Sequence, residues 1–100
     1  MNAPPVISHE NSESFSQKYA NSVQIKLCLW DMELIFGTLQ PPKVPESTAT
    51  ILNWGSVILS PPQAKALAQL LAQHVEMYEQ NFGPISLKAW VPPTVGGRKM

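Results

Sequence analysis

Residues 60–83 carry both ends of a helix in their sequence, and that helix limits what the rest of the chain can fold into. Ser60 can accept at the start, and Gln63 three residues on completes a capping box. Pro61 takes the first helical position, where its missing N–H costs nothing. Gly83 then Pro84 supply a left-handed stop and a residue that cannot continue the helix. At about 100° per residue, Ala64, Leu67, Ala68, Leu71, Val75, Tyr78 and Phe82 fall on one stripe. Ala66, Leu70 and Met77 lie roughly 120° away on the same period, outside it. Lys65, Gln69, Glu76, Glu79 and Gln80 occupy the arc left for water. A surface helix of a lone domain needs only the first stripe. The second is surplus apolar surface, and such surface usually has a partner.

The chain before the helix reads as the sheet that should receive the first stripe. Val23, Ile25, Leu27 and Leu29 alternate with Gln24, Lys26, Cys28 and Trp30, the two-residue period of a half-buried strand. Met32, Leu34 and Phe36 resume the alternation, and a tight turn near Trp30, Asp31 and Met32 would join the two as a hairpin. Gly37 marks a bulge or a close backbone approach. Pro41, Pro42 and Pro45 make the next stretch a loop, since each removes a ladder donor. Residues 48–59 are β-rich around Asn53, Trp54 and Gly55, and read as one kinked strand rather than two short ones. After the helix, Ile85, Leu87 and Trp90 fit a fourth strand or an extended arm. The expected fold class is α+β: an antiparallel meander of three to four strands, with one long C-terminal amphipathic helix packed on one face.

One hundred residues make one small domain. Residues 1–18 and 91–100 are rich in Pro, Ser, Asn and Gly and read as flexible tails, leaving 19–90 as the folding unit. So short a unit is marginal as a monomer. Seven basic and seven acidic residues cancel, and no basic stripe appears, so no nucleic-acid partner is expected. Near-zero charge also does little to hold copies apart. The lone Cys28 cannot form an internal disulfide, which fits a reducing compartment. Met1, Asn2, Ala3, Pro4 and Pro5 lack the basic start and apolar run of a secretory leader. No window approaches the roughly 20 apolar residues of a membrane span. A cytoplasmic protein without a membrane partner is the expectation.

No residue set converges on catalysis. His74 has no His or Cys three or four residues away, and His9 sits in the N-terminal tail, so zinc spacing is absent and no metal or cofactor is expected. Cys28 reads as a small, partly buried thiol, with no base placed beside it. Glu76 with Glu79 solvates the polar arc, and Asp31, near Glu33, suits a turn. Gly96, Gly97, Arg98 and Lys99 lack the following helix of a phosphate loop. Trp30, Trp54 and Trp90 carry more information: indoles offer large apolar area with a polar edge, which suits interfaces. Trp30 and Trp54 are expected on the sheet face away from the helix, forming a patch with Ile35, Leu39 and Leu52. The candidate interface is therefore Trp30, Trp54, Ala66, Leu70 and Met77.

Four blocks taken in order carry a resemblance. They are Tyr19-Ala20-Asn21-Ser22-Val23-Gln24-Ile25, Trp30-Asp31-Met32-Glu33-Leu34-Ile35-Phe36-Gly37, Val57-Ile58-Leu59-Ser60-Pro61-Pro62-Gln63-Ala64-Lys65-Ala66-Leu67 and Tyr78-Glu79-Gln80-Asn81-Phe82-Gly83-Pro84. Together they resemble the small bacterial and archaeal domain-of-unknown-function family 3467, over residues 19–85. That family carries no assigned activity, so the resemblance transfers no site residues. In layout alone, strands followed by one long helix resemble SecB-like export chaperones, which bind unfolded chains as oligomers; layout does not fix function.

Function is expected to be non-enzymatic: a protein-binding or assembly module acting as a homo-oligomer, simplest as a dimer. The alternatives are SecB-like capture of extended polypeptide, with a protein or peptide partner, and, last, a small ligand-binding protein or enzyme.

Overall fold

The computed structural model describes residues 3–42, 44 and 48–87. Three strands, β1 (Ser22–Leu27), β2 (Met32–Gln40) and β3 (Thr50–Leu59), precede one helix, α1 (Pro61–Phe82). The sheet has the order β1-β2-β3 and both pairings are antiparallel. The α+β meander expected from the alternation is present, with three strands. Residues 83–87 form no fourth strand; Trp90 and residues 91–100 lie outside the described residues.

Register follows from the apolar alternation. Val23, Ile25 and Leu27 lie opposite Phe36, Leu34 and Met32, and the last three lie opposite Gly55, Val57 and Leu59. Residues directly opposite share a face, so one sheet face is uncharged and mostly apolar across all three strands. The other face carries Gln24, Lys26, Glu33, Ile35, Ser56 and Ile58. Pairing Leu27 with Met32 also moves the hairpin turn earlier than expected. Cys28 donates its N–H to the Asp31 carbonyl at 3.0 Å, leaving Leu29 and Trp30 at the tip. A one-residue slip would put each strand's apolar set on opposite faces, so alternation sets the turn where no Asn-Gly signal exists.

β3 is one strand with a bulge, as its length suggested. Gly55 pairs with Phe36 and Asn53 with Gly37, so Trp54 is the extra residue. Gly37 is needed there: a Cβ would lie 2.7 Å from Asn53 Oδ1 and 2.8 Å from the Leu52 carbonyl oxygen. The chain entering β1 continues the pairing beyond the strand. Asn21 donates its N–H to the Gly37 carbonyl at 3.1 Å, and Asn21 Oδ1 accepts from Leu39 N–H at 2.9 Å. Ser22, directly after them, is 2 % exposed.

The helix ends are where the sequence puts them. Gln63 donates its N–H to Ser60 Oγ at 3.3 Å, and Gly83 donates to the Glu79 carbonyl at 2.9 Å. Gly83 adopts φ 105° and ψ 166°, a region essentially reserved for glycine, rather than the expected left-handed helical well. Ile85 N–H then donates to Glu79 Oε2 at 2.9 Å, tying the outgoing chain to the last turn.

One expectation fails: α1 is not packed across a sheet face. Ala64 is buried and Leu67 half-buried, but every residue from Ala68 to Phe82 is exposed. The cause lies at the junction. Only Ser60 separates Leu59 from Pro61, and it is extended at φ −67° and ψ 156°. Connections that bring a helix back over its sheet commonly take about 2–6 residues. With one extended residue followed by a proline, the helix leaves the end of the sheet instead.

Candidate functional site

Two apolar surfaces follow from this geometry, one on the sheet and one on the helix. Ala64 is the only buried hydrophobic residue among the described residues. On the sheet, Val23, Ile25, Leu27 and Val57 are exposed on the face they share with half-buried Leu34 and Phe36. Sequence reasoning assigned this face to the chain's own helix and so missed it as a site. The signal was the one-residue spacing between Leu59 and Pro61.

Of the residues expected at an interface, Trp30 and Trp54 do not meet as one patch. Trp30 stands at the hairpin tip, 76 % exposed. Trp54 stands at the bulge, level with Phe36, and stacks on that ring with centroids 5.8 Å apart and planes 18° apart. Four residue steps along β2 separate the Phe36 level from Met32, where the hairpin turn ends, a span of about 13 Å at strand rise. The expected company of Trp54 also divides. Leu52, opposite Thr38, shares its face, but Ile35 and Leu39 point to the other. A bulge residue faces with its neighbour, and that reassigns Trp54.

Lys18 Nζ lies 5.3 Å from the Trp54 ring centre, a cation–π contact. With Ser16 and Gln17 it borders an open groove of about 540 Å³ against Phe36, Trp54, Gly55, Ser56 and Val57. The segment read as a flexible tail therefore borders the apolar face at its Trp54 end. Among the described residues that line the groove, Lys18 is the sole titratable side chain, whereas acid–base work needs at least two convergent groups.

On the helix, Leu70 and Met77 are 52 % and 53 % exposed, and Ala66 is exposed beside them. The first stripe is equally open: Leu71, Val75, Tyr78 and Phe82 all face outward, with the Tyr78 and Phe82 rings 4.9 Å apart. His74 Nδ1 makes a 2.8 Å hydrogen bond with the Leu70 carbonyl, a contact within its own helix. Cys28 is exposed rather than partly buried, because its position became the hairpin bend. Glu79 holds Ile85 N–H, a local structural task beyond solvating a face. No group of three or more His, Cys, Asp or Glu among the described residues could hold a metal ion. No described helix is long and apolar enough to cross a membrane.

No match was found among curated proteins or among solved structures. One family matches residues 3–87, including the segment before Tyr19 that the four sequence blocks left out. The chain belongs to that family, described as Protein of unknown function (DUF3467).

Proposed function

We propose that the chain is a non-enzymatic protein-binding or assembly module that acts as a homo-oligomer, a dimer in its simplest form. One observation carries this reading: among the described residues, Ala64 alone is a buried hydrophobic. Fixing a residue's backbone costs about 1–2 kcal/mol, and apolar burial is the main term that offsets it. A second surface over the sheet and helix would supply that burial. Cytoplasmic residence, which accords with the single free Cys28, and a bacterial source stand as parts of the same proposal. Sedimentation equilibrium at micromolar concentration tests it. The expected mass is twice the 11.0 kDa of one chain. A folded species of single-chain mass overturns the reading.

A second reading is capture of extended polypeptide in the manner of SecB-like chaperones. The observation favouring it is that, among the described residues, β1 and β3 are the outer strands of the sheet, each paired on one side by β2, and β3 is ten residues long. An extended peptide could add to such an edge by main-chain hydrogen bonds. Suppressed aggregation of an unfolded client is the expected result; unchanged aggregation with excess protein rejects it. Enzymatic or small-ligand activity is the weakest proposal, since no convergent titratable groups support it.

A further inference from the structure

We infer that α1 of one copy docks its first stripe on the apolar sheet face of a second copy, reciprocally. The arrangement rests on the assembly reading above and specifies its interface. Three observations carry it. The sheet face formed by Val23, Ile25, Leu27, Leu34 and Val57 is uncharged, as is the stripe of Leu67, Leu71, Val75, Tyr78 and Phe82. Both surfaces belong to every copy, so a two-fold arrangement satisfies both at once. Ser60 alone joins strand to helix, which denies the helix its own sheet while leaving it extended toward another.

Dimensions agree. The exposed helix, residues 68–82, is about 22 Å long and about 10 Å across, so docking hides about 220 Å² of helix and as much of the sheet. Three strands at their normal spacing make a face about 14 Å wide, enough to seat it. Two reciprocal dockings hide about 900 Å², so a modest further contact takes the total past the ~1,000 Å² expected of a specific interface. The second stripe, Ala66, Leu70 and Met77, supplies that contact where the two helices run side by side across the two-fold axis. Segment 16–18 bounds the site at the Trp54 end, and the Trp30 tip bounds it at the other.

Cross-linking in the full chain tests the arrangement. In a Cys28→Ser background, an untagged Ile25→Cys chain is co-expressed with a size-tagged Leu71→Cys chain and treated with a short bismaleimide. A covalent product containing one chain of each size is expected, and it should be lost when Gln69→Cys, on the polar arc, replaces Leu71→Cys. Val57→Cys with Val75→Cys serves as the pair if either first variant loses its helical circular dichroism. A dimeric protein giving no mixed product, or an equal product from Gln69→Cys, overturns the docking and leaves the assembly reading intact. One chain carrying both Ile25→Cys and Leu71→Cys, if it closes the cross-link within itself, also overturns it. A single-chain mass for the unmodified protein overturns both.

Discussion

Gly37 and Gly55 sit on either side of the same bulge and have opposite surroundings. A Cβ on Gly37 would press on the Leu52 carbonyl and Asn53 Oδ1, and backbone cannot swing aside as a long side chain could. A Cβ on Gly55 would meet nothing within 4 Å. Gly37→Ala should therefore destabilise by about 1–3 kcal/mol, the usual range for forced overpacking. Gly55→Ala should be neutral or slightly stabilising, through a less flexible unfolded chain. Urea midpoints of the two variants, taken at one protein concentration, check this, and equal shifts would reject the close-approach account. Gly37 could be read as special from sequence, because a glycine inside an alternating strand has few other causes. The face of Trp54 could not, since a bulge reverses the simple alternation and leaves no composition signal of its own. Cys28 illustrates the same limit, its exposure following from which residues became the turn.

At the scale of elements, α1 was the most legible because its signals are local. Ser60, Pro61 and Gly83 act within a turn of themselves, and the helix runs Pro61–Phe82 between them. Removing the cap with Ser60→Ala should cost about 1 kcal/mol, seen as a lower thermal midpoint with fraying of the first turn. An unchanged midpoint would mean the 3.3 Å bond from Gln63 N–H contributes nothing. The strands were legible for a related reason, since apolar alternation fixes which residues must share a face before any partner is known. Where α1 goes was not legible from periodicity. A stripe of Leu71, Val75 and Phe82 states that a surface must be covered, but not which molecule covers it. That information sat in the spacing between Leu59 and Pro61, where a single extended residue is shorter than the connections that commonly bring a helix back over its sheet. Length of a connection, rather than pattern within an element, decided the tertiary arrangement.

For the whole molecule, coverage of apolar surface by another copy has a thermodynamic signature that does not depend on how the copies meet. If the folded state is N₂ and the unfolded state is two separate chains, unfolding raises the number of particles and mass action opposes it at high concentration. Each tenfold rise in concentration adds about 1.4 kcal/mol to the dimer's stability. Unfolding entropy is about 2.1 cal/mol/K per residue near 60 °C. For two folding units of residues 19–87, that converts to an expected rise in Tm of about 4–6 °C per tenfold concentration. Circular dichroism melts from micromolar to hundreds of micromolar would resolve such a slope. A monomer whose sheet and helix were held by internal contacts would melt at one temperature throughout, and that flat line would remove the assembly proposal. A positive slope together with a failed Ile25–Leu71 cross-link would keep assembly and reject only the docking of helix on sheet. The two measurements thus separate the existence of the interface from its location.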